Sequence, residues 1–429
     1  MKCCKKRIVS FVLAILLLCS LLTVGASAAG REEWVSAWST SPVRASLSEL
    51  GCLDSLGVTL AAVTSRVAVT PTASGRQLRL VFSNEYGASP LTISECTVGV
   101  TARDTRNVQL GSIRKVTFSG KTLTTIPAGK TITSDPVKMT VTAGEKLTVT
   151  TYFRSLNTQR TIGLIGGDTY AAVGNYTNLP LMTFGLPLKV TADSGAYEVI
   201  PALKEIDVLS SDHAGTCVVF GDSTVANEIP RLLAAKLRAS GKRVSVTQAA
   251  IKGNRLLENG VGLASYVLGE AAVKRFERDV LEQAGVRSVL VKIGINDIVH
   301  PYCESKAGRL TPVTAEQMIE GYKKLIDMAH KAHVKIYLGE IAPWKGYTRN
   351  ILGMGDDVQW SEEIDAVRLE VNKWIRSRCC PADGYISCEA LRDPNDEFAL
   401  RPAYTTDGGH FTELGQKAFV DTVPLGFWR

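Results

Sequence analysis

A serine, an aspartate and a histidine in this chain have the surroundings that nucleophilic catalysis requires. Ser223 follows the apolar segment 218–220, VVF, and the turn residues Gly221 and Asp222, and Asp407 precedes His410 by three residues. A serine hydroxyl becomes a good nucleophile when a histidine takes its proton, and a carboxylate on the other ring nitrogen fixes the histidine tautomer. The three side chains are therefore candidates for nucleophile, base and orienting carboxylate. Taken alone, the Asp407–His410 pair is more typical of a solvated loop.

Two further loops supply candidate donors for a negatively charged oxygen. Asn296 follows the apolar segment 288–293, and Gly253 with Asn254 follows the segment 244–247. The side-chain amide of Asn296 and the backbone N–H of Gly253 can both donate hydrogen bonds to an oxyanion. Each residue is also common in ordinary turns. Three such loops at one edge of a sheet are more informative together than separately.

The elements that must position these loops alternate after residue 210. Apolar runs predict strands, and apolar spacing of three to four residues predicts helices. The predicted strands are 216–220, 244–247, 288–293, 334–341 and the segment around 385–386, and the predicted helices are 230–239, 314–331, 361–376 and 412–423. This alternation predicts a parallel sheet covered by helices on both faces. The carboxyl ends of such strands open onto a crevice.

The first half of the chain has a different pattern. Segments such as 78–82 and 147–153 are rich in β-branched and aromatic residues, and turn signals separate them. Short strands without a convincing helix predict a β-sandwich or jelly roll. A length of 429 residues favours two domains. We therefore predict an all-β domain over 31–205 and an α/β domain over 212–429, joined by a linker near 205–215.

The chemical blocks, in this order, resemble the SGNH (GDSL-type) hydrolase superfamily. The matching residues are Gly221-Asp222-Ser223, Gly253, Asn296 in Gly294–Asp297, and Asp407 with His410. The segments 34–42, 82–87, 253–257 and 391–394 are similar to a secreted two-domain branch with an N-terminal β domain. This resemblance implies a flavodoxin-like, three-layer α/β/α hydrolase domain preceded by the β domain.

The resemblance also implies a role for each matching residue. Ser223 is expected to be the nucleophile and to lend its backbone N–H to the oxyanion, with Gly253 N–H and the Asn296 side chain as the other donors. His410 is expected to be the base, oriented by Asp407. Asp222 is expected to stabilise the nucleophile turn.

The chain departs from the family pattern at two places beside the crevice. Thr224-Val225 follows the nucleophile where an aliphatic residue and then a threonine or similar small residue are usual, and Phe411-Thr412 follows His410 where a proline is common. These departures leave the catalytic residues intact.

The expected activity is that of a serine esterase that forms an acyl-enzyme. By analogy with the branch, some of whose members deacetylate plant polysaccharides, the expected substrate is a small acyl ester of a carbohydrate. Asn254 and Trp344 are candidate substrate contacts, and Trp344 with Tyr347 can stack on a sugar, although such aromatics more often pack a loop. The alternatives are a lipase or thioesterase, a polysaccharide acyltransferase, and a non-catalytic glycan-binding protein.

The N-terminus predicts export. Four basic residues, an apolar run over 8–22 and the small residues 26–28 are typical of a cleaved signal peptide over 1–28. Cleavage removes those four charges from the formal +7 and leaves +3, which does not favour a nucleic-acid partner. No membrane attachment is expected once the signal segment has been removed. We therefore expect a secreted protein; the oligomeric state is left open.

The cysteines left after cleavage do not indicate a metal site. Seven cysteines remain, an odd number, and Cys379 or Cys380 with Cys388 can close a small disulfide loop. No pair has zinc-ligand spacing supported by histidines, so neither a metal nor a cofactor is expected.

Overall fold

The computed structural model describes most of the chain after residue 31. The described residues are 32–45, 61–155, 160–192, 195–212, 214–226, 228–260, 265–303, 310–347 and 358–428. The predicted signal segment 1–28 lies outside them. Among the described helices, none combines the length and the apolar character needed to cross a bilayer.

The N-terminal region consists of antiparallel strands. They are β1 Glu33–Ser39, β2 Val43–Arg44, β3 Ala61–Val69, β4 Gly75–Ser83, β5 Leu91–Val100, β6 Arg114–Val116, β7 Thr124–Ile126, β8 Thr131–Thr133, β9 Val137–Val141, β10 Leu147–Ser155, β11 Thr161–Gly163, β12 Asp168–Val173, β13 Leu186–Pro187, β14 Lys189–Ala192, β15 Gly195–Glu198, β16 Ile200–Pro201 and β17 Leu203–Ser210. One sheet has the order β1-β17-β4-β8, with β9 also on β4, and the larger one has the order β13-β12-β3-β10-β5-β6, with β7 on β5. Leu80 and Phe82 of one sheet and Val149 and Phe153 of the other belong to the same hydrophobic cluster, as in a sandwich.

The C-terminal region alternates strands and helices as predicted. Its regular elements are β18 Thr216–Gly221, α1 Glu228–Ala239, β19 Ser245–Ala250, α2 Ser265–Leu268, α3 Ala272–Phe276 with a π-helical turn Glu277–Leu281, β20 Val286–Lys292, α4 Ile295–Val299, α5 Ala315–Lys331, β21 Lys335–Gly339, α6 Glu362–Arg376, β22 Gly384–Ile386, β23 Arg392–Asp393, β24 Asp396–Leu400 and α7 Glu413–Thr422. Short 3-10 turns lie at His300–Tyr302, Glu389–Leu391, Pro402–Tyr404 and Leu425–Phe427. Thr314, Ser361 and Thr412 cap α5, α6 and α7 by accepting backbone N–H groups.

A five-stranded parallel sheet organises this region. Its order is β19-β18-β20-β21-β22, which is the flavodoxin-like order. Side chains of β18 alternate between two cores: Cys217 and Val219 join one hydrophobic cluster, and Val218 and Phe220 join the other. The predicted fold class, a three-layer α/β/α region after an all-β region, is confirmed.

The two regions share one of these cores. The cluster that contains Val219 also contains Val35 of β1 and Phe82 of β4. The N-terminal region also covers the outer edge of β19, because Thr72 Oγ1 accepts from Val246 N and donates to Val246 O. Covering this edge satisfies backbone groups that would otherwise be unpaired. The domain boundary near 205–215 stays a prediction.

Three details differ from the sequence-based expectation. The short helices α2, α3 and α4 were not predicted, because four or five residues do not give a detectable helical repeat. Strand ends shift by up to three residues, as in β19. The disulfide loop that the sequence allowed is not formed: Cys379, Cys380 and Cys388 are free thiols, and the buried Cys388 Sγ donates to Glu340 O instead.

Candidate active site

Ser223 lies at the point where the strand order of the parallel sheet reverses. The chain passes from β18 to β19 on one side and then returns to β20 on the other side. Crevices form at the carboxyl ends of strands at such points. Ser223 follows the last residue of β18 by two positions and is partly exposed. The sheet therefore presents its hydroxyl at an accessible edge.

The structure brings Ser223, His410 and Asp407 into one hydrogen-bonded row. The Ser223 Oγ lies 2.8 Å from His410 Nε2, and His410 Nδ1 lies 2.7 Å from Asp407 Oδ2. With the proton on Nδ1, the ring donates to the carboxylate and Nε2 accepts from the serine hydroxyl. These contacts match the arrangement in which a histidine can deprotonate a serine.

The turn that carries Asp407 is organised by the same carboxylate. Asp407 Oδ1 accepts the backbone N–H groups of Gly409 at 3.0 Å and of His410 at 2.7 Å. Burial alone would raise the pKa of Asp407, but the hydrogen bonds from His410 and Gly409 and the charge of the imidazolium hold that pKa well below its usual range. The carboxylate is therefore charged at any pH at which His410 can act as a base.

The two glycines in this turn are required by close packing against the loop after β21. Gly408 has a φ of 83°, and a Cβ there would lie 2.4 Å from the backbone N of Tyr347. A Cβ at Gly409 would lie 2.6 Å from the Tyr347 ring. The same ring meets His410 edge-on, with centroids 5.7 Å apart. Tyr347 thus supports the position of the imidazole.

The two predicted oxyanion donors lie on adjacent loops. Asn296 Nδ2 donates to Asn254 O at 2.9 Å, and this contact ties the loop after β20 to the loop after β19. An amide nitrogen carries two hydrogens, so one remains for a ligand. Gly253 has a φ of 73°, and a Cβ there would lie 2.3 Å from Leu268 Cδ2. Only glycine fits this position without strain.

Comparison with known proteins assigns the C-terminal region to a family. Residues 219–418 match the model of the GDSL-like Lipase/Acylhydrolase family. These residues form a GDSL-like acylhydrolase domain. The assignment supports a hydrolase that cleaves carboxylic esters, and it confirms the family resemblance seen in the sequence.

Solved structures similar to this chain include a GDSL-like lipase from Bacteroides thetaiotaomicron. It has 16% identity and a TM-score of 0.32 over 48% of this chain and 84% of that chain. An acetylxylan esterase from Geobacillus stearothermophilus has 14% identity and a TM-score of 0.36 over 49% of this chain and 92% of that chain. Another acetyl xylan esterase has 20% identity and a TM-score of 0.34 over 48% and 96%. No curated protein matches the chain.

Beneath the nucleophile turn of the GDSL-like domain lies a buried polar network. Asp222 Oδ1 accepts from Thr224 N at 2.9 Å and from Thr224 Oγ1 at 2.7 Å. Lys292, at the end of β20, donates to the same Thr224 hydroxyl at 3.1 Å. Burial raises the pKa of Asp222, and the nearby Lys292 charge opposes that rise. Thr224, one of the departures from the family pattern, therefore faces the interior of the domain.

The two candidate substrate contacts lie in the interior as well. The Asn254 side chain is fully buried and donates both amide hydrogens, to Leu268 O and to Glu270 O. Trp344 is only 1% exposed and belongs to a hydrophobic core. A ring with this burial packs the loop, which is the alternative that the sequence left open. In this conformation neither side chain is presented to a substrate.

Two charged residues near the candidate site were not found by sequence reasoning. Lys292 ends an apolar strand and Arg275 lies in a five-residue helix, and both are almost fully buried. A lysine inside an apolar run is a signal in itself, because a buried charge needs a partner. Its partner Thr224 is remote in sequence, so the pairing of Lys292 with Thr224 can be recognised only in the folded structure.

Proposed function

We propose that this protein is a serine esterase in which Ser223 is the nucleophile, His410 the base and Asp407 the orienting group. The observation that carries the proposal is the continuous row of hydrogen bonds, 2.8 Å and 2.7 Å long, that joins the three side chains. The row lies within a GDSL-like acylhydrolase domain. No step requires a metal or a redox group.

The reaction proceeds in two steps. His410 Nε2 takes the proton of Ser223 as its oxygen attacks the ester carbonyl, and the alcohol departs with that proton. Water then gives a proton to His410 and attacks the acyl-enzyme, which releases the acid and restores the serine. Asp407 stabilises the imidazolium that forms in each step.

The negative oxygen of each tetrahedral intermediate needs donors. The Ser223 and Gly253 backbone N–H groups and the Asn296 side chain supply them in this proposal. The Asn296 contact with Asn254 O fixes the amide before the substrate arrives, and such preorganisation is worth about 3 kcal/mol for one donor. Asp222 stabilises the turn that holds Ser223.

A serine-directed fluorophosphonate tests the nucleophile. Mass spectrometry should find one adduct, on Ser223, in the wild-type protein. Ser223→Ala should form no adduct, and its rate of p-nitrophenyl acetate hydrolysis should fall by roughly a thousandfold or more. Ser112→Ala, in the β region, is the matched control and should retain both. Near-normal turnover by a folded Ser223→Ala protein would end the assignment.

The proposed substrate is a small acyl ester of a carbohydrate, and its support is the resemblance of segments 34–42 and 82–87 to the secreted branch. Initial rates on p-nitrophenyl acetate, butyrate, octanoate and palmitate, compared with acetate release from acetylated xylan, test it. Highest activity on the palmitate ester would favour a lipase instead. Transfer of the acetyl group to an added oligosaccharide, rather than to water, would indicate an acyltransferase.

Secretion is also part of the proposal, and it rests on the signal-peptide pattern of residues 1–28. The protein expressed from its full sequence should appear outside the cell with an N-terminus near residue 29. Retention of residues 1–28 on the mature protein would contradict this.

A further inference from the structure

Arg275 is a fully buried arginine next to the candidate site, and every one of its nitrogens is bonded. Its Nε donates to Asn254 Oδ1 at 3.0 Å, and its Nη2 donates to Gly221 O at 3.0 Å. Its Nη1 lies within bonding distance of Ala249 O, Asp279 Oδ2 and Ser41 Oγ, at 2.8, 3.0 and 3.2 Å. Its planar group also lies over the Phe220 ring, 4.2 Å from the centroid.

These contacts join three separate parts of the chain. Gly221 O belongs to the strand end that leads into Ser223, and Asn254 belongs to the loop of the Gly253 donor. Ser41 belongs to the N-terminal β region. A guanidinium has five donors in a fixed plane, so it sets the relative positions of its acceptors more strictly than a flexible amine does.

A second route from the β region reaches the same loop. Tyr86, in the turn after β4, donates its hydroxyl to Glu270 Oε2 at 2.7 Å, and Arg278 Nη1 donates to the Tyr86 hydroxyl at 2.7 Å. The backbone oxygen of Glu270 accepts from Asn254 Nδ2 at 2.7 Å. Asn254 O in turn accepts from Asn296 Nδ2. The contacts thus run without a break from Tyr86 to the proposed oxyanion donor.

The charges in this cluster keep the helix of Arg275 in place. Asp279 is fully buried between Arg275 and Arg278 and bonds to both. A buried ion pair is stable only when each charge keeps its partners. Arg278 also lies 3.9 Å from Glu85 of the β region. The β region therefore contributes hydrogen bonds and charge to the cluster on both sides of Arg275.

We infer that the N-terminal β region is part of the catalytic unit and that Arg275 is a positioning residue for the nucleophile turn and the oxyanion loops. Ser41 and the Tyr86–Glu270–Arg278 contacts hold Arg275 and its helix in place. This inference rests on the proposed esterase function. It assigns the β region a role in setting the geometry of the site, in place of a role as an independent glycan-binding module.

Tyr86→Phe is the main test, because it removes one hydroxyl and keeps the ring. We expect kcat for p-nitrophenyl acetate to fall about tenfold, with KM changed less than about twofold, since the hydroxyl orders groups that act in the transition state. Tyr170→Phe is the matched control: its hydroxyl bonds to Thr105 Oγ1 at 2.7 Å within the β region. The control should lose a similar amount of thermal stability and keep its kcat.

Arg275→Lys is an independent test, because it keeps the positive charge and loses the planar guanidinium group with its five donors. We expect at least a tenfold loss of kcat and of the fluorophosphonate reaction rate. If this variant does not fold, the Tyr86→Phe comparison decides alone. Equal kcat for Tyr86→Phe and Tyr170→Phe would overturn the inference. Failure of the wild-type protein to react at Ser223 would instead overturn the proposed function.

Discussion

Replacing Thr224 with valine tests whether the buried network under Ser223 stabilises the site. Valine has nearly the same shape, so the change replaces the hydroxyl with a methyl group and alters little else. That hydroxyl donates to Asp222 at 2.7 Å and accepts from Lys292 at 3.1 Å. Asp222 is fully buried, Lys292 is 3% exposed and Thr224 is 8% exposed. Water therefore cannot readily replace either contact.

The expected loss follows from these two contacts. A hydrogen bond to a charged group contributes about 1.5–3 kcal/mol, and an ionised group left buried without its partner costs about 3–5 kcal/mol. Asp222 keeps its bond to the backbone N of residue 224, and the Lys292 Nζ remains 5.4 Å from the Phe411 ring centroid. We therefore expect Thr224→Val to lower the free energy of unfolding by about 2–4 kcal/mol.

Urea unfolding measures this loss, and a double-mutant cycle assigns it to the pair. One transition is expected because the two regions share a core. Thr224→Ser keeps the hydroxyl and should lose only about 1 kcal/mol for the missing methyl group. The double variant, Lys292→Met with Thr224→Val, should lose less free energy of unfolding than the two single variants lose in sum. The difference should be at least about 1 kcal/mol.

The same variants should also affect activity. Because Thr224 follows Ser223 directly, a displaced turn moves the nucleophile from His410, and we expect kcat/KM of Thr224→Val to fall about tenfold or more. A Thr224→Val protein with wild-type stability, or single losses that add without coupling, would refute the reasoning.

Three further predictions concern the turns of the site. Gly408→Ala should lower kcat at least about tenfold, because its Cβ would collide with backbone atoms. The control is Gly346→Ala, where φ is 86° and no atom lies within 4 Å of the added Cβ; it should lose about 1 kcal/mol of stability and keep its activity. Equal kcat values for the two variants would contradict this. Gly253→Ala should likewise lower kcat. The control Gly241→Ala, with a φ of 72° and no atom near its added Cβ, should keep its kcat. Steady-state assays of both variants test this difference. Asp407→Asn should lower kcat by roughly a thousandfold or more. Folding lowers the pKa of Asp407, so the contribution of this carboxylate to stability is complete above the ordinary carboxyl pKa of about 3.9 and is lost as the pH falls toward the pKa in the folded state. The difference in urea midpoint between wild type and Asp407→Asn should therefore narrow between about pH 5 and pH 2. A constant difference would argue against the pairing of Asp407 with His410.

The local pattern of the chain was sufficient for the fold class. Strands such as 216–220 and helices such as 314–331 were predicted because an apolar run and a helical repeat are properties of neighbouring residues. The short helix that carries Arg275 was not, since its position depends on contacts with Gly221, Asn254 and Ser41, which are distant in sequence.

By itself the sequence determined which residues have the right type for acyl-transfer chemistry, namely Ser223, Asp407 and His410, and that Ser223 follows a strand able to present it. Only the tertiary structure decided that Ser223 and His410, separated by 187 positions, lie 2.8 Å apart. It also decided that Thr224, Asn254 and Trp344 face the interior. The physical reason is that side-chain direction and burial depend on the packing of remote segments, whereas strand and helix formation depend largely on neighbours along the chain.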